Sequence, residues 1–180
     1  MYKRQGYISA VGFSLYCQLL ADAVEEQKAK QAGIPQVKSS RLPAPTIDLP
    51  LAAYIPEEYV SDLNTRLSLY QSLVKLEKVE QVEDLAHEIS DRFGSLPLEV
   101  KNLLYAVKLK TLAAKAGIES ISTEHGEIIV SLFQGMQFDR KKLEPVRDGI
   151  KLGLSQLRLN PKRLGKEWQK VLEETLRNVG

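Results

Sequence analysis

The sequence predicts an α+β fold, with an N-terminal helical half followed by a small antiparallel or mixed sheet with flanking helices. Three observations carry this. Apolar residues recur at helical spacing across 13–24, 63–74, 79–93 and 98–112. Beyond Gly117 the period switches to β-branched alternation. Helices come first and strands mixed with helices come later, which does not fit the repeated strand-helix order of a doubly wound sheet. With 180 residues, 43% hydrophobic and 27% charged, the chain is long enough to bury about 70% of its unfolded surface without disulfide or metal staples.

Phe13, Tyr16, Leu20 and Val24 form one face of an amphipathic helix that continues through good helix formers to about Lys30. Pro35, Pro43 and Pro45, with Ser39 and Ser40, mark a linker over 31–45. Thr46 to Leu49 alternates before Pro50 and reads as a short edge strand, because proline would delete a ladder donor in a central one. Asp62 is placed to cap a helix reaching about Leu76, with Leu63, Leu67, Tyr70 and Val74 on its apolar face. Val79, Val82, Ala86, Ile89 and Phe93 mark the next helix, which Gly94 ends. Pro97 suits the first turn of a helix over about Leu98 to Ala116. That helix is apolar on most sides, through Val100, Leu103, Leu104, Val107, Leu109 and Leu112, and so should be central.

Gly117 closes it, and Ile118, Ile121, a His125-Gly126 turn and Ile128-Ile129-Val130 read as a hairpin. Asp139 can cap a short helix to about Arg147. Leu157 and Leu159 suggest another strand, and Leu164, Trp168, Leu172 and Leu176 a terminal helix.

Several function classes lose support. The single cysteine, Cys17, cannot form an internal disulfide, and with only His87 and His125 it cannot assemble a usual zinc site. Gly165-Lys166 lacks the opening glycine of a phosphate-cradling loop, since Asn160 stands there, and neither G-x-G-x-x-G nor G-x-S-x-G occurs. The chain reads as non-enzymatic, without a cofactor of its own. No apolar run reaches the roughly 18 to 20 residues that a bilayer requires, and Met1 to Gly6 lacks a signal peptide's apolar stretch. A cytoplasmic setting is expected.

The formal net charge is only +2, yet it is unevenly spread. Residues 77–99 hold seven acids, including Glu88 and Asp91, against Lys78 and Arg92. Residues 139–166 hold nine bases, among them Arg140, Lys141, Lys142, Lys162 and Arg163, against three acids. Most of the acidic helix can be a solvated face. Glu88 and Asp91 are sharper, because they neighbour each other in the last turn before Gly94, where the carbonyl end of a helix disfavours negative charge. They point to a basic partner surface or to Arg92. The basic stretch points either to a solvated face or to phosphate contacts, though aromatic interleaving is poor, with only Phe138 and Trp168 bracketing it.

Several ordered segments resemble one family: Gly12-Phe13-Ser14-Leu15-Tyr16, Tyr54-Ile55-Pro56, Arg66-Leu67-Ser68-Leu69-Tyr70, and Asp91-Arg92-Phe93-Gly94-Ser95-Leu96-Pro97 followed by Asn102-Leu103-Leu104. Together they are similar to the C-terminal end of the bacterial transcription-repair coupling factor family, over most of the chain from Gly6 to about Ile121. The resemblance implies a fragment in which 1–30 is the tail of a post-motor coupling segment, 31–45 a linker and 46–180 a C-terminal regulatory domain. Here Arg4 precedes Gln5-Gly6, unlike the usual Gln-x-Gly pattern, so no motor-coupling residue is carried over. The family's full protein is an ATP-dependent DNA translocase whose upstream motor binds ATP and Mg and which engages RNA polymerase, UvrA and duplex DNA. What this implies for 46–180 is an autoinhibitory protein-interaction role, docking on the UvrB-like N-terminal module of the same parent and masking the UvrA-binding surface, with Glu88 and Asp91 facing that module's arginines. The alternative is an accessory DNA-binding module using 139–166.

Overall fold

A computed structural model describes residues 43–143 and 147–179. The amphipathic helix expected over 13–30, and the linker up to residue 42, lie outside the described residues. Those described fall into two compact units, one of residues 51–107 and one of 43–50 with 108–179.

The first unit is helical. Helix α1, Leu63–Val74, starts at Asp62, whose carboxylate accepts the Thr65 amide at 2.7 Å and the Thr65 hydroxyl at 2.6 Å. These bonds, the hydroxyl first, hold the Asp62 carboxyl below its ordinary value. Helix α2, Val79–Phe93, opens with the Gln81 side chain accepting the Glu77 and Lys78 amides at 3.1 and 3.0 Å. Helix α3 spans Leu98–Lys115. The core of this unit joins Ile55, Val60, Leu69 and Leu73 to Val82, Leu85, Ile89, Val100, Leu103, Leu104 and Val107. Asn102, buried, donates its amide to the Ala52 carbonyl at 3.0 Å and so satisfies its own burial.

The apolar face of α1 differs from the expected one. Leu63 and Val74 are exposed, Leu67 and Tyr70 only half-buried, and the buried pair is Leu69 and Leu73. The helix carries two leucine stripes of equal periodicity. The choice between them is made from outside, because the Ile55 amide donates to the Tyr70 hydroxyl at 2.8 Å and Arg66 donates to the Val60 and Ser61 carbonyls at 2.6 and 3.1 Å. These bonds turn Leu69 and Leu73 inward.

The second unit holds a five-stranded mixed sheet in the order β1-β2-β3-β5-β4. Its strands are β1 Thr46–Ile47, β2 Ile118–Glu124, β3 Glu127–Leu132, β4 Ile150–Leu152 and β5 Gln156–Leu159. Only β1 and β2 run parallel; the other pairs are antiparallel. The register aligns Ile47, Ile121, Val130, Leu157 and Leu152 as one row across all five strands. Ile121, Val130 and Leu157 in that row are almost wholly buried. The β2–β3 turn uses His125 and Gly126, both at positive φ (51° and 80°), the signature of a tight two-residue hairpin. As expected, β1 is an edge strand that stops before Pro50. Strand β4, the other edge, had no sequence signal, being three residues long with one apolar residue on each side of Lys151.

Asp139 accepts the Lys141 amide at 3.0 Å and starts helix α4, described over Arg140–Leu143. Arg147 is not helical, so the expected extension to it does not hold. The terminal helix is likewise shorter than expected. Leu164 belongs to a separate turn, α5, Pro161–Leu164, capped by Asn160 and closed by Gly165 at φ 63°. A 3₁₀ turn over Gly165–Glu167 then leads into α6, Trp168–Val179, which buries Val171, Leu172, Thr175 and Leu176. Lys108 of α3 reaches Glu173 of α6 at 2.9 Å, and Arg177 approaches the same carboxylate at 3.0 Å. Burial alone would raise the Glu173 carboxyl, but the hydrogen bonds and charges of Lys108 and Arg177 outweigh it and hold it below its ordinary 4.5.

Two stability predictions follow from this packing. Leu103→Ala, at a site with 0% exposure, should lower unfolding stability by roughly 2–5 kcal/mol, whereas Leu63→Ala, 58% exposed, should change it by no more than about 0.5 kcal/mol; urea titration followed by circular dichroism measures both. A carboxyl depressed on folding stabilises above its unfolded pKa and loses that contribution as pH falls through its folded pKa. Glu173→Gln should therefore cost about 1–2 kcal/mol at pH 7, and its gap from the parent chain should narrow as pH falls below 4.5. A gap constant from pH 7 to pH 3 would contradict the ionic assignment.

Candidate partner-binding surface

Helix α2 separates its residues cleanly. Val79, Val82, Leu85 and Ile89 are buried, while Glu80, Glu83, Asp84, His87, Glu88 and Asp91 are exposed. Burial of one stripe obliges the acids onto the opposite face. Glu88 and Asp91, three residues apart, lie together on that face, Asp91 in the last turn and Glu88 in the turn before it.

The end of the helix is held by a short chain of contacts. Gly94 takes φ 88° and its amide donates to the Ser90 carbonyl at 2.9 Å. Tyr59 donates its hydroxyl to the Gly94 carbonyl at 2.7 Å and lies edge-on to Phe93, ring centroids 6.0 Å apart. Burial raises the Tyr59 phenol above its ordinary value of 10. Arg92 places its guanidinium 5.1 Å from the Phe93 ring centroid and pairs with Glu88 at 3.2 Å. Both partners of that pair remain about half exposed, at 52% and 57%. Among the described residues, no hydrogen bond or ion pair engages the Asp91 carboxylate. The result is one carboxylate already paired with a neighbour and one facing solvent against the helix dipole.

The basic residues are more dispersed. Arg140, Lys141 and Lys142 lie on α4, and Lys162 and Arg163 on α5. Arg163 pairs with Asp148 at 3.3 Å, while Lys151 and Arg158 lie 3.7 and 3.9 Å from the two oxygens of Glu127. Arg147 approaches Glu174 at 4.0 Å. Much of the positive charge between 139 and 166 is thus met by carboxylates of the same unit.

The second unit also has a cavity of about 150 Å³ between Leu143, Ile150, Val171 and Thr175, below the roughly 300–1,000 Å³ of small-molecule sites. Among the described residues no three His, Cys, Asp or Glu side chains gather to hold a metal ion. No described helix is long and apolar enough to cross a membrane.

The family model for the TRCF domain matches residues 49–143, more than half of the chain. The chain belongs to the TRCF domain family. The matched stretch contains all of α1, α2 and α3, and with them Glu88 and Asp91. The transcription-repair-coupling factor of Staphylococcus haemolyticus is 33% identical over 166 residues, covering 88% of this chain and 14% of that protein. That of Staphylococcus aureus is 38% identical over 127 residues, covering 71% of this chain and 10% of that protein. The chain therefore corresponds to a small part of these relatives. A crystal structure of the C-terminal domain of a transcription-repair coupling factor shares the fold, with a TM-score of 0.63 at 22% identity, covering 75% of this chain and 89% of the other. The TRCF domain fold is thus the α+β arrangement expected from the sequence.

Sequence reasoning missed Tyr59 as a fastener of the α2 terminus. Its partner carbonyl lies 35 residues away, and no periodicity links positions so far apart. The site electrostatics give a test. Asp91→Asn removes a charge that the helix dipole disfavours, and should raise unfolding stability by about 0.3–1 kcal/mol at low ionic strength, an increment that 0.5 M salt should largely erase.

Proposed function

We propose that this chain is the C-terminal regulatory part of a transcription-repair coupling factor, a DNA repair protein, and that it acts by binding protein rather than by catalysis. In this reading it docks on the UvrB-like N-terminal module of its own parent and masks the UvrA-binding surface until the parent engages RNA polymerase. Translocation on duplex DNA, with its ATP and Mg, is assigned to a motor elsewhere in the parent. The observation that carries the reading is the end of α2. Two exposed carboxylates stand there side by side, one without a described partner, in the stretch that matches the family. Arginines on an opposing surface would complement both the unpaired charge and the carbonyl end of the helix.

A contact of this kind suits a releasable cover. Exposed charge pairs set register and selectivity, and each adds modest net energy. The basic segment supports the alternative of duplex DNA binding less well, since Arg147, Lys151, Arg158 and Arg163 each lie within 4.0 Å of a carboxylate.

A calorimetric titration of the chain against the isolated UvrB-like module should give binding that weakens as salt rises. Joint replacement Glu88→Ala and Asp91→Ala should lower the affinity by about tenfold, in line with 1–2 kcal/mol for two charge pairs. Unchanged affinity in the double variant, with an unchanged melting profile, would discard the assigned contact.

A further inference from the structure

The two carboxylates of the α2 terminus are not equivalent. Glu88 shares its charge with Arg92 across 3.2 Å, in the order that suits a helix, acid four residues before base. Arg92 has two further reasons to stay. It stands in the last turn, where the helix dipole favours a cation, and its guanidinium lies over the Phe93 ring at 5.1 Å. Phe93 is in turn braced by Tyr59, whose hydroxyl is anchored on the Gly94 carbonyl. Asp91 has no such neighbour among the described residues.

We propose that Arg92 is a built-in competitor for Glu88: it neutralises that carboxylate in the free chain, so that Asp91 attracts the cationic partner and Glu88 is released to it only when the Arg92 pair opens. This rests on the docking role of the α2 terminus and adds how that contact is held weak enough to reverse. A partner guanidinium approaching Glu88 must displace one already stacked on an aromatic ring. The interface is thereby weakened from within, without any loss of its own complementarity. The partner this geometry selects is a surface bearing at least two cations, one placed for Asp91 and one able to outbid Arg92.

The test is a double-mutant cycle on the 180-residue chain, titrated with the UvrB-like module at low salt, with melting curves recorded for every variant. Arg92→Gln keeps a long polar side chain and removes the competing charge. It should tighten binding about two- to fivefold, the range expected for losing an exposed helix ion pair and a ring contact. Glu88→Gln should cost little in the parent chain and clearly more in the Arg92→Gln background, while Asp91→Asn should weaken binding in both. If Asp91→Asn weakens binding but Arg92→Gln weakens it too or leaves it unchanged, the competition is overturned and the docking surface survives. If Glu88→Gln costs the same in both backgrounds, the competition is again overturned. If Asp91→Asn and Glu88→Gln both leave the affinity untouched, the docking surface itself is wrong.

Discussion

The candidate surface depends on one constraint, the burial of a single stripe of α2. Val79, Val82, Leu85 and Ile89 each keep 8% or less of their surface exposed, and together they represent several kcal/mol of apolar burial. That energy is far larger than any preference of the acidic side chains. The helix must therefore present Val82 and Ile89 to the core, and the opposite face follows as a geometric remainder. Glu80, Asp84, Glu88 and Asp91 stand outward because the stripe faces inward. Neither their mutual repulsion nor the dipole at the carbonyl end can rotate the helix away from its packing.

The same hierarchy explains why the end of α2 is fastened so carefully. The last turn of a helix frays readily when its carbonyls lack partners. Here the Gly94 amide closes on Ser90, and the Tyr59 hydroxyl reaches the Gly94 carbonyl from a segment far away in sequence. Phe93 is only half-buried, yet it has Tyr59 on one side and Arg92 over its face. A terminus held this way keeps its side chains at fixed spacing. That matters more for a contact made of a few charges than for one made of a large apolar area, because Coulomb complementarity is lost when the charges wander.

Much of this architecture was legible in the sequence, for reasons that differ from element to element. The α3 core positions were readable because Val100, Leu103, Leu104, Val107, Leu109 and Leu112 spread over most sides of the helix, and all six are buried. The hairpin was readable because His125-Gly126 satisfies a demanding backbone requirement that few residue pairs meet. The Asp62 cap was readable because capping is local chemistry. The burial face of α1 was not, since two stripes of leucines satisfy the same period and the choice goes with contacts to a distant segment, where the Ile55 amide donates to the hydroxyl of Tyr70 on α1. Strand β4 was invisible because three residues carry no period, and it exists only through its pairing with β5. The exposure of Glu88 and Asp91 was implied by the helix pattern, whereas the pairing of Arg92 with Glu88 and not with Asp91 was not. Only geometry answers which carboxylate Arg92 reaches.

An exposed carboxylate at the carbonyl end of a helix costs about 0.3–1 kcal/mol, set against a typical domain stability of about 5–15 kcal/mol. The fold tolerates Asp91 because Ile89 and Phe93, on either side of it, are held by packing and by Tyr59. Tolerance alone does not make the charge useful. Usefulness comes from the asymmetry, since a carboxylate in an unfavourable field gains more from an incoming cation than one already paired. In the proposed docking the local penalty would be relieved by the incoming cation, which would favour a cationic surface while leaving the free domain folded. An electrostatic penalty confined to one side chain, with the backbone beneath it firmly fixed, is what the proposed reversible charge contact requires.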